Sequence, residues 1–549
     1  TLKNGFMQDK MCDVGAVSNT DTFIKQGAYN TETATSWSWG ALKNVNYFID
    51  GCNDPKYCTV EAETRDNYLG IARWFRAWFY YDKLTTYGEV PWFPNDIQSY
   101  QNDVMYKDRD SRDVIIRNLI ADLDFAYEHI QATSSTGSAT LTRWAAAALK
   151  SRVCLFEAAY RRYHNLTGLE ITPEELYREA AKAAKLVIDN SGCSLNTAAG
   201  KKGAYRDLFY SETPLTQEVI LAVCANEKSG IFGEQNWWFN ARSYGLCWSL
   251  VRSFVHTYLK QDGTPFTAAA DYAVKSFAEE MEGRDLRLEQ TVRGRNFLWD
   301  GKTAVADIKN LSLTGYQVIK YTLDESKYDG GAKNINSIPL IRYAEVLLNY
   351  AEAQAELGVL TDSEWALTVG ALRKRAGITG GTETLPTTVD SYLQRTFYPD
   401  VTSPVLLEIR RERAIELVAE GMRFDDLRRW KCGSLMETLP WSGIHIPGLE
   451  QPVDVNGDGV NDYYFTEGEV ASAPAAYKNI AVRVNQDGVG LYAEANPVSG
   501  YDLVYKTGAG DRYWYPDGRQ YLYPIPAKVI RDYRNAGYTI SQNPEWDNE

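Results

Sequence analysis

The sequence predicts a mainly α-helical fold, in which a stiff helical scaffold carries a large, irregular, loop-rich region. Three observations lead there. Apolar residues recur at helical spacing in separate blocks, first between residues 64 and 190 and again between 342 and 431. The stretches 190–340 and 435–525 are instead rich in Gly, Asn, Asp, Tyr and Trp, with short strand-like pieces such as "EVILAV" at 218–223. No segment has the Gly/Ser or Pro composition of a linker, so the 549 residues are expected to form one body (1–549). The scaffold is expected mainly over 40–190 and 340–431, and the loop-rich region mainly over 190–340 and 435–525.

Residues 64–84 open the helical series. Trp74, Trp78 and Tyr81 fall at i, i+4 and i+7, with Phe75 and Phe79 beside them, a stripe that predicts burial in the core. Residues 111–130 place Val114, Leu119, Leu123 and Tyr127 at helical offsets; "STGSA" interrupts, and 142–160 resumes with Trp144, Ala148, Cys154 and Ala158. Thr172-Pro173 followed by two Glu is a helix start, because Pro fits the first turn and acids favour its positive end. In 342–358, Ala344, Leu348, Ala351 and Ala355 form a stripe that lets a neighbouring helix approach closely, and Gly358 is a natural stop. Such helices are similar to tetratricopeptide units, although no period of about 34 residues runs through the chain. In 404–431, Glu408 with Arg411, and Asp425 with Arg428 and Arg429, sit at mutually supporting helical spacings.

Composition narrows the function. A net charge of −14 argues against a nucleic-acid partner, whose phosphates need a basic stripe, and against electrostatic docking on anionic lipid. No apolar run approaches the ~18 residues of a spanning helix. The 15 Trp and 37 Tyr against 18 Phe weight the chain toward rings that join a flat apolar face to a polar edge, which suits wet binding surfaces as well as cores. The eight Cys contain no CxxC pair, which argues against zinc ribbons and thioredoxin-type sites. Cys52 and Cys58 bracket the turn-rich "NDPKY", where a local disulfide and a pair of free thiols are the two alternatives.

The stretch "TYGEVPWFPND" ends the first aromatic helix. Gly88 stops it, and Pro91 and Pro94 forbid regular pairing, so Trp92 is expected on a stiff loop where its indole is exposed as a ligand face, the alternative being a Trp folded back over the scaffold. Asn95 and Asp96 follow closely. An aromatic face beside short polar side chains suits a pyranose, whose C–H face stacks while its hydroxyls hydrogen-bond. On the same chemistry, "FGEQNWWFNARSYG" offers Trp237 and Trp238, and "RNFLWDG" offers Trp299 before an Asp-Gly turn, with local packing as the alternative for all three.

"DVNGDGVND" (454–462) sets Asp454, Asn456 and Asp458 at positions 1, 3 and 5 of a loop, with Gly459 at 6, the Val460 carbonyl at 7 and Asp462 at 9. Alternate oxygen donors around a Gly turn are what a Ca²⁺ loop uses to wrap a hard cation, so a structural calcium is expected here. Phe465 stands where an EF-hand would carry its bidentate Glu, and the alternative is a loop built of Asx turns. Nucleophilic and nucleotide motifs fail: GxSxG and HExxH are missing, His occurs four times, and "DGKT" at 300–303 has Asn296 where a phosphate loop needs its first Gly. No catalytic residue is assigned.

Four motifs in order resemble the SusD/RagB family of Bacteroidetes surface lipoproteins: "RAWFYYDKLTTYGEVPWF", "IPLIRYAEVLLNYAEAQAELG", "LLEIRRERAIELVAEGMRFDDLRRWK" and "YLYPIPAKVIRDYRNAGYTISQNPEW". They span residues 73–546. The resemblance implies a SusD-like fold, with about four tetratricopeptide-like helix pairs carrying an irregular ligand-binding region. It implies a non-catalytic protein, lipid-anchored at the extracellular face of the outer membrane, that binds an oligosaccharide or polysaccharide. It also implies delivery of that ligand to a SusC-like TonB-dependent transporter. Trp92 is the ligand residue that the "YGEVP" motif places, with Asn95 as its polar companion. Cys12, after "QDKM", lacks the small residues of a lipobox, so the anchoring Cys is expected upstream of Thr1. A helical-fold glycoside hydrolase and a RagB-like peptide binder are the alternatives; a hydrolase needs only two carboxylates at a set distance, and the chain has 72 acidic residues.

Overall fold

The computed structural model describes residues 10–240 and 247–547. Helix α1 (Gly40–Asn53) leads into α2 (Ala62–Tyr87), α3 (Arg112–His129), α4 (Arg143–Tyr163) and α5 (Pro173–Asn190). Their ends follow from local chemistry. Ser111 Oγ accepts from the Val114 N–H, and Thr172 with Glu175 forms a reciprocal capping box over Pro173. Helix α2 stops at Gly88, whose φ of +74° a side-chain-bearing residue rarely adopts. Helix α3 packs on α2, α4 on α3, and α5 on α4. The approach of α2 to the end of α3 depends on Gly70, where an added Cβ would meet the Ile130 side chain at 3.0 Å.

The buried stripe of α2 runs through Gly70, Trp74, Ala77, Tyr80 and Leu84. Trp74 is sealed, with its indole N–H donating to the Ala145 carbonyl at 3.2 Å, whereas Trp78 and Tyr81 are only half-buried and Phe75 is exposed. The stripe expected from Trp74, Trp78 and Tyr81 is thus rotated by about one residue. In α3 the inward residues are Ile115, Ile116, Leu119 and Leu123, and Val114 faces out.

The loop-rich region follows. Strand β1 (Val219–Val223) leads to α6 (Gln235–Asn240), and β2 (Leu298–Trp299) and β3 (Lys302–Thr303) form a hairpin. Strand β4 (Ile338–Arg342) pairs antiparallel with β1 and continues directly into α7 (Tyr343–Glu356). After α8 (Val369–Arg375) and α9 (Pro404–Glu416), the segment expected to be helical to 431 breaks, because Ala419 and Gly421 take φ of +63° and +80°. Helix α10 (Arg423–Arg429) then resumes. Arg411 pairs with Glu408 and Arg428 with Asp425 as expected, while Arg429 takes Asp426 and Glu352 instead of Asp425.

Strand β5 (Ser442–Ile446) is the edge of a three-stranded antiparallel sheet. Strands β6 (Pro452–Val453), β7 (Tyr463–Thr466) and β8 (Ala481–Arg483) form a second sheet, and β9 (Leu491–Ala495) and β10 (Tyr501–Tyr505) complete the first, in the order β9-β10-β5. Helix α11 (Ala527–Asn535) closes the chain against the region around Tyr106. One continuous apolar core joins scaffold residues such as Trp74 and Leu348 to loop-region residues such as Tyr321 and Leu503.

Where the loop-rich region meets the scaffold, the core carries charge. Arg342, at the β4–α7 junction, reaches Glu218 at 3.0 Å, Glu416 at 2.6 Å and Glu420 at 2.7 Å. Arg375 of α8 pairs with the same Glu218 and Glu416, Arg287 pairs with Asp285, Glu412 and Glu416, and Lys320 Nζ lies 2.7 Å from Glu420. All are buried. Burial alone would raise the Glu416 carboxyl, but Arg375, Arg342 and Arg287 together hold it well below the usual carboxylate range. Burial pushes Lys320 down to about 8 against the opposing pull of Glu420.

Candidate functional site

The Pro-rich loop after α2 folds back over the helix. Trp92 lies with its ring centroid 4.1 Å from that of Tyr80, and the Arg76 guanidinium sits 5.3 Å from the indole. Its backbone is locked as well: the Trp92 N–H donates to Asp110 at 2.6 Å, Lys107 Nζ donates to its carbonyl at 3.1 Å, and the Tyr80 hydroxyl bridges Pro91 and Phe93. Trp92 is 7% exposed. This corrects the expectation of an exposed Trp92: the prolines that keep it out of regular structure also return the chain onto α2, so neither indole face is open for stacking.

Asn95 is exposed, and its amide donates to Asp50 of α1 at 2.9 Å. It lines a groove of about 1140 Å³, groove A, together with Trp37, Trp39, Phe93, Tyr106 and Tyr533. These rings come from far apart in the chain. Trp37 and Trp39 belong to the irregular segment "TSWSW" (35–39), of which Thr35, Trp37 and Trp39 line this groove. Tyr106 is stacked on Tyr538 at 5.3 Å and meets Tyr533 of α11 edge-on at 5.1 Å. Trp37 and Trp39 are half-buried and pack edge-to-face on each other at 5.3 Å.

The floor of groove A is fixed before any ligand arrives. Arg76 makes two bonds of 2.7 Å to Asp122 and one of 2.9 Å to the Pro94 carbonyl. Asn46 of α1 donates to the carbonyls of Phe93 and Asn95 at 2.8 and 3.0 Å. Buried Lys83 reaches the Ser36 carbonyl at 3.3 Å, with its ammonium 5.7 Å from the Trp39 ring and 5.5 Å from that of Tyr87. At the lip, Glu32 and Arg531 pair at 2.6 Å, and Lys528 pairs with Asp532 within α11.

The same irregular segment and α1 form a wall with a second groove behind it. Groove B, about 1040 Å³, is lined by Ser36 and Ser38 on that wall and by Phe75, Trp78 and Phe79 of α2, with Tyr321 and Phe424 opposite. Its charged groups are already matched: Arg152 holds Glu345 through two bonds of 2.6 Å, and Arg428 holds Asp425 at 2.5 Å.

The remaining tryptophan candidates gather elsewhere, around Asp329. Asn236 and Asn240 of α6 donate to its carboxylate at 3.2 and 3.1 Å, and Trp237 and Trp238, half-buried in the same helix, pack edge-to-face at 4.8 Å. Burial raises the Asp329 pKa despite these amides and the nearby Arg293. The Arg293 guanidinium lies 5.1 Å from the half-buried Trp299 ring, which precedes a tight hairpin turn at Asp300 (φ +48°) and Gly301 (φ +74°). Residues 241–246 of the Trp237 motif lie outside the described residues. The tertiary structure thus separates the candidates: Asn95 on groove A, Trp92 in the core, and Trp237, Trp238 and Trp299 in the neighbourhood of Asp329.

The Asp-rich loop connects β6 to β7. Asp454 accepts from the amides of Gly457 and Gly459 at 2.7 and 2.8 Å, Asp458 from Val460 at 2.8 Å, and Asp462 from Val455 at 2.8 Å. Asn456 donates to Asp458 at 3.2 Å. Burial, with Asp458 and Asp454 close by, raises the Asp462 pKa. Among the described residues no group of three or more His, Cys, Asp or Glu is gathered as a metal site.

The model of the SusD family matches residues 217–546, more than half of the sequence. The chain belongs to the SusD family. No curated protein matches the sequence. The fold is similar to that of a SusD-like carbohydrate-binding protein from Bacteroides fragilis, with a TM-score of 0.66 at 19% identity over 96% of this chain and 91% of that one. A second SusD-like protein from Bacteroides fragilis matches with a TM-score of 0.65 at 20% identity, over 99% and 94%. A laminarin-binding SusD-like protein matches with a TM-score of 0.57 at 14% identity, over 98% and 94%. The SusD-like fold therefore extends across the helices N-terminal to residue 217, where the family model does not reach.

Sequence reasoning missed Trp37, Trp39, Tyr106 and Tyr533. The signal available was the Ser-Trp-Ser-Trp alternation in an otherwise polar stretch; nothing local pairs it with Tyr106 or with Tyr533 near the other end of the chain.

Proposed function

We propose that this SusD family member binds an oligosaccharide or polysaccharide without cutting it, at the extracellular face of the outer membrane, and delivers it to a SusC-like TonB-dependent transporter. Lipid anchoring is part of this reading. The observation that carries it is groove A: aromatic faces and edges from Trp37, Trp39, Phe93 and Tyr106, with Asn95 and Lys43 among the polar groups beside them, on a hydrogen-bonded floor. Apolar rings with a few fixed polar groups are what a sugar's C–H face and hydroxyls need, and the groove exceeds the ~300–1,000 Å³ of common small-molecule sites. The carbohydrate-binding and laminarin-binding relatives of the same fold support the ligand class. Among the described residues no helix is long and apolar enough to cross a membrane.

Calorimetry against a panel of neutral glycans tests the reading. Trp37→Ala is expected to weaken the best ligand about tenfold, a loss of ~1.4 kcal/mol, with the melting temperature nearly unchanged because Trp37 is half-buried. Binding of peptides and of no glycan would assign the chain to the RagB-like alternative. Release of shortened sugars by the purified protein would make it a hydrolase.

Structural calcium in the 454–462 loop is a separate proposal. Asp454, Asn456, Asp458, the Val460 carbonyl and Asp462 would turn from the loop's own amides onto one cation, whose charge would offset the burial that raises Asp462 and the lesser repulsion from Asp458 and Asp454. Calcium is then expected to raise the melting temperature of the wild type and to leave Asp458→Ala unmoved. Equal melting curves with calcium and with a chelator would leave the loop as a set of Asx turns.

A further inference from the structure

Two thiols meet at the end of the helix that walls both grooves. Cys52 lies in the last turn of α1, and the chain then doubles back. The Asp54 N–H closes on the Asp50 carbonyl at 3.1 Å, and the amides of Tyr57 and Cys58 both close on the Asp54 carbonyl at 3.0 Å. The Lys56 amide donates to Asp54 Oδ1 at 2.8 Å. This turn brings the Cys58 side chain round to face Cys52, close enough for each thiol to influence the other. Both are half-buried free thiols, so a small oxidant can reach them, unlike the buried Cys12, Cys154 and Cys247.

We infer that Cys52 and Cys58 are a cystine site, whose oxidation closes the 53–57 turn and staples the end of α1. The helix carries Val45 into groove B and Lys43 and Asn46 into groove A, and its Asp50 holds both Asn95 and the Asp96 amide. A staple two residues beyond Asp50 therefore fixes the end of the wall between the grooves. The chemistry needs a disulfide oxidant such as glutathione disulfide. One cysteine thiolate attacks it, forming a mixed disulfide and releasing one glutathione thiol. The second cysteine thiolate then attacks the protein-bound sulfur, forming the Cys52–Cys58 bond and releasing the second thiol. The protein loses two protons and two electrons, and the oxidant gains them. A cross-link over so short a loop stabilises mainly by restricting the unfolded chain. The inference does not depend on what groove A binds.

The sequence provides its own readout, because Lys56 lies between the two cysteines and Lys43 and Arg65 flank them. Native protein is treated with glutathione disulfide, free thiols are alkylated, and the product is digested with trypsin without reductant. Peptides 44–56 and 57–65 are expected to travel as one linked species, lighter than their sum by two hydrogen atoms, and to separate on reduction. The oxidised wild type is expected to melt several degrees above its reduced form, and Cys52→Ser/Cys58→Ser to show no such difference. Alkylated free thiols at both positions, a separate glutathione on each, or a linked species formed only in denaturant would overturn the inference.

Discussion

Arg342→Met is expected to destabilise the protein by about 3–5 kcal/mol, the usual cost of breaking a buried ion pair by removing one partner. Arg342 is fully buried and serves Glu218, Glu416 and Glu420 at once. Methionine fills much of the volume but leaves three carboxylates with Arg375, Arg287 and Lys320 as their remaining partners. Lys320 is a weak substitute, since burial already pushes it down to about 8. The network joins β4 and α7 to α8 and α9, so the loss should appear as a lower denaturant midpoint, and proteolysis should reach the loop-rich region first. Adding Glu420→Gln removes one of the stranded charges and should recover part of the loss. If the double variant recovers nothing, lost packing and not charge is responsible.

Trp92→Ala is the second large effect, a loss of about 3–5 kcal/mol, typical of truncating a buried aromatic residue to alanine. The indole lies tilted against Tyr80, near the Arg76 guanidinium, and Arg76 also ties Asp122 to the Pro94 carbonyl. Removing the ring opens a cavity under the floor of groove A. Glycan affinity should fall as well, but only together with stability. Trp37→Ala should separate the two quantities. A Trp92→Ala protein that melts like wild type yet fails to bind ligand would return Trp92 to the surface.

Local punctuation was readable with good accuracy. Thr172-Pro173 begins a helix with a capping box, Gly88 ends one, and Asp300-Gly301 turns a hairpin at positive φ. Each depends on hydrogen bonds or dihedral limits set within a few residues. Burial was harder. The Trp74 stripe was assigned to the core as a whole, yet Trp78 and Phe75 open on groove B, because α3 and α4 cover only one side of α2. Trp92 failed in the opposite sense, since "VPWFP" excludes regular structure without saying where the loop comes to rest. The long segment 404–431 was read as continuous, but the positive φ at Ala419 and Gly421 divides it.

By itself the sequence determined the helical scaffold, the loop-rich remainder and, through four ordered motifs, the SusD family, because helix caps, glycine stops and periodicity are written in neighbouring residues. Only the tertiary structure decided which rings stay accessible. It brought Trp37 and Trp39 to Tyr106 and Tyr533, buried Trp92, and set Glu218, Arg342 and Glu416 against one another across the joint. The physical reason is that exposure is a property of what covers a residue, and the covering side chains come from other elements, from Tyr80 over Trp92 to Tyr533 beside Trp37.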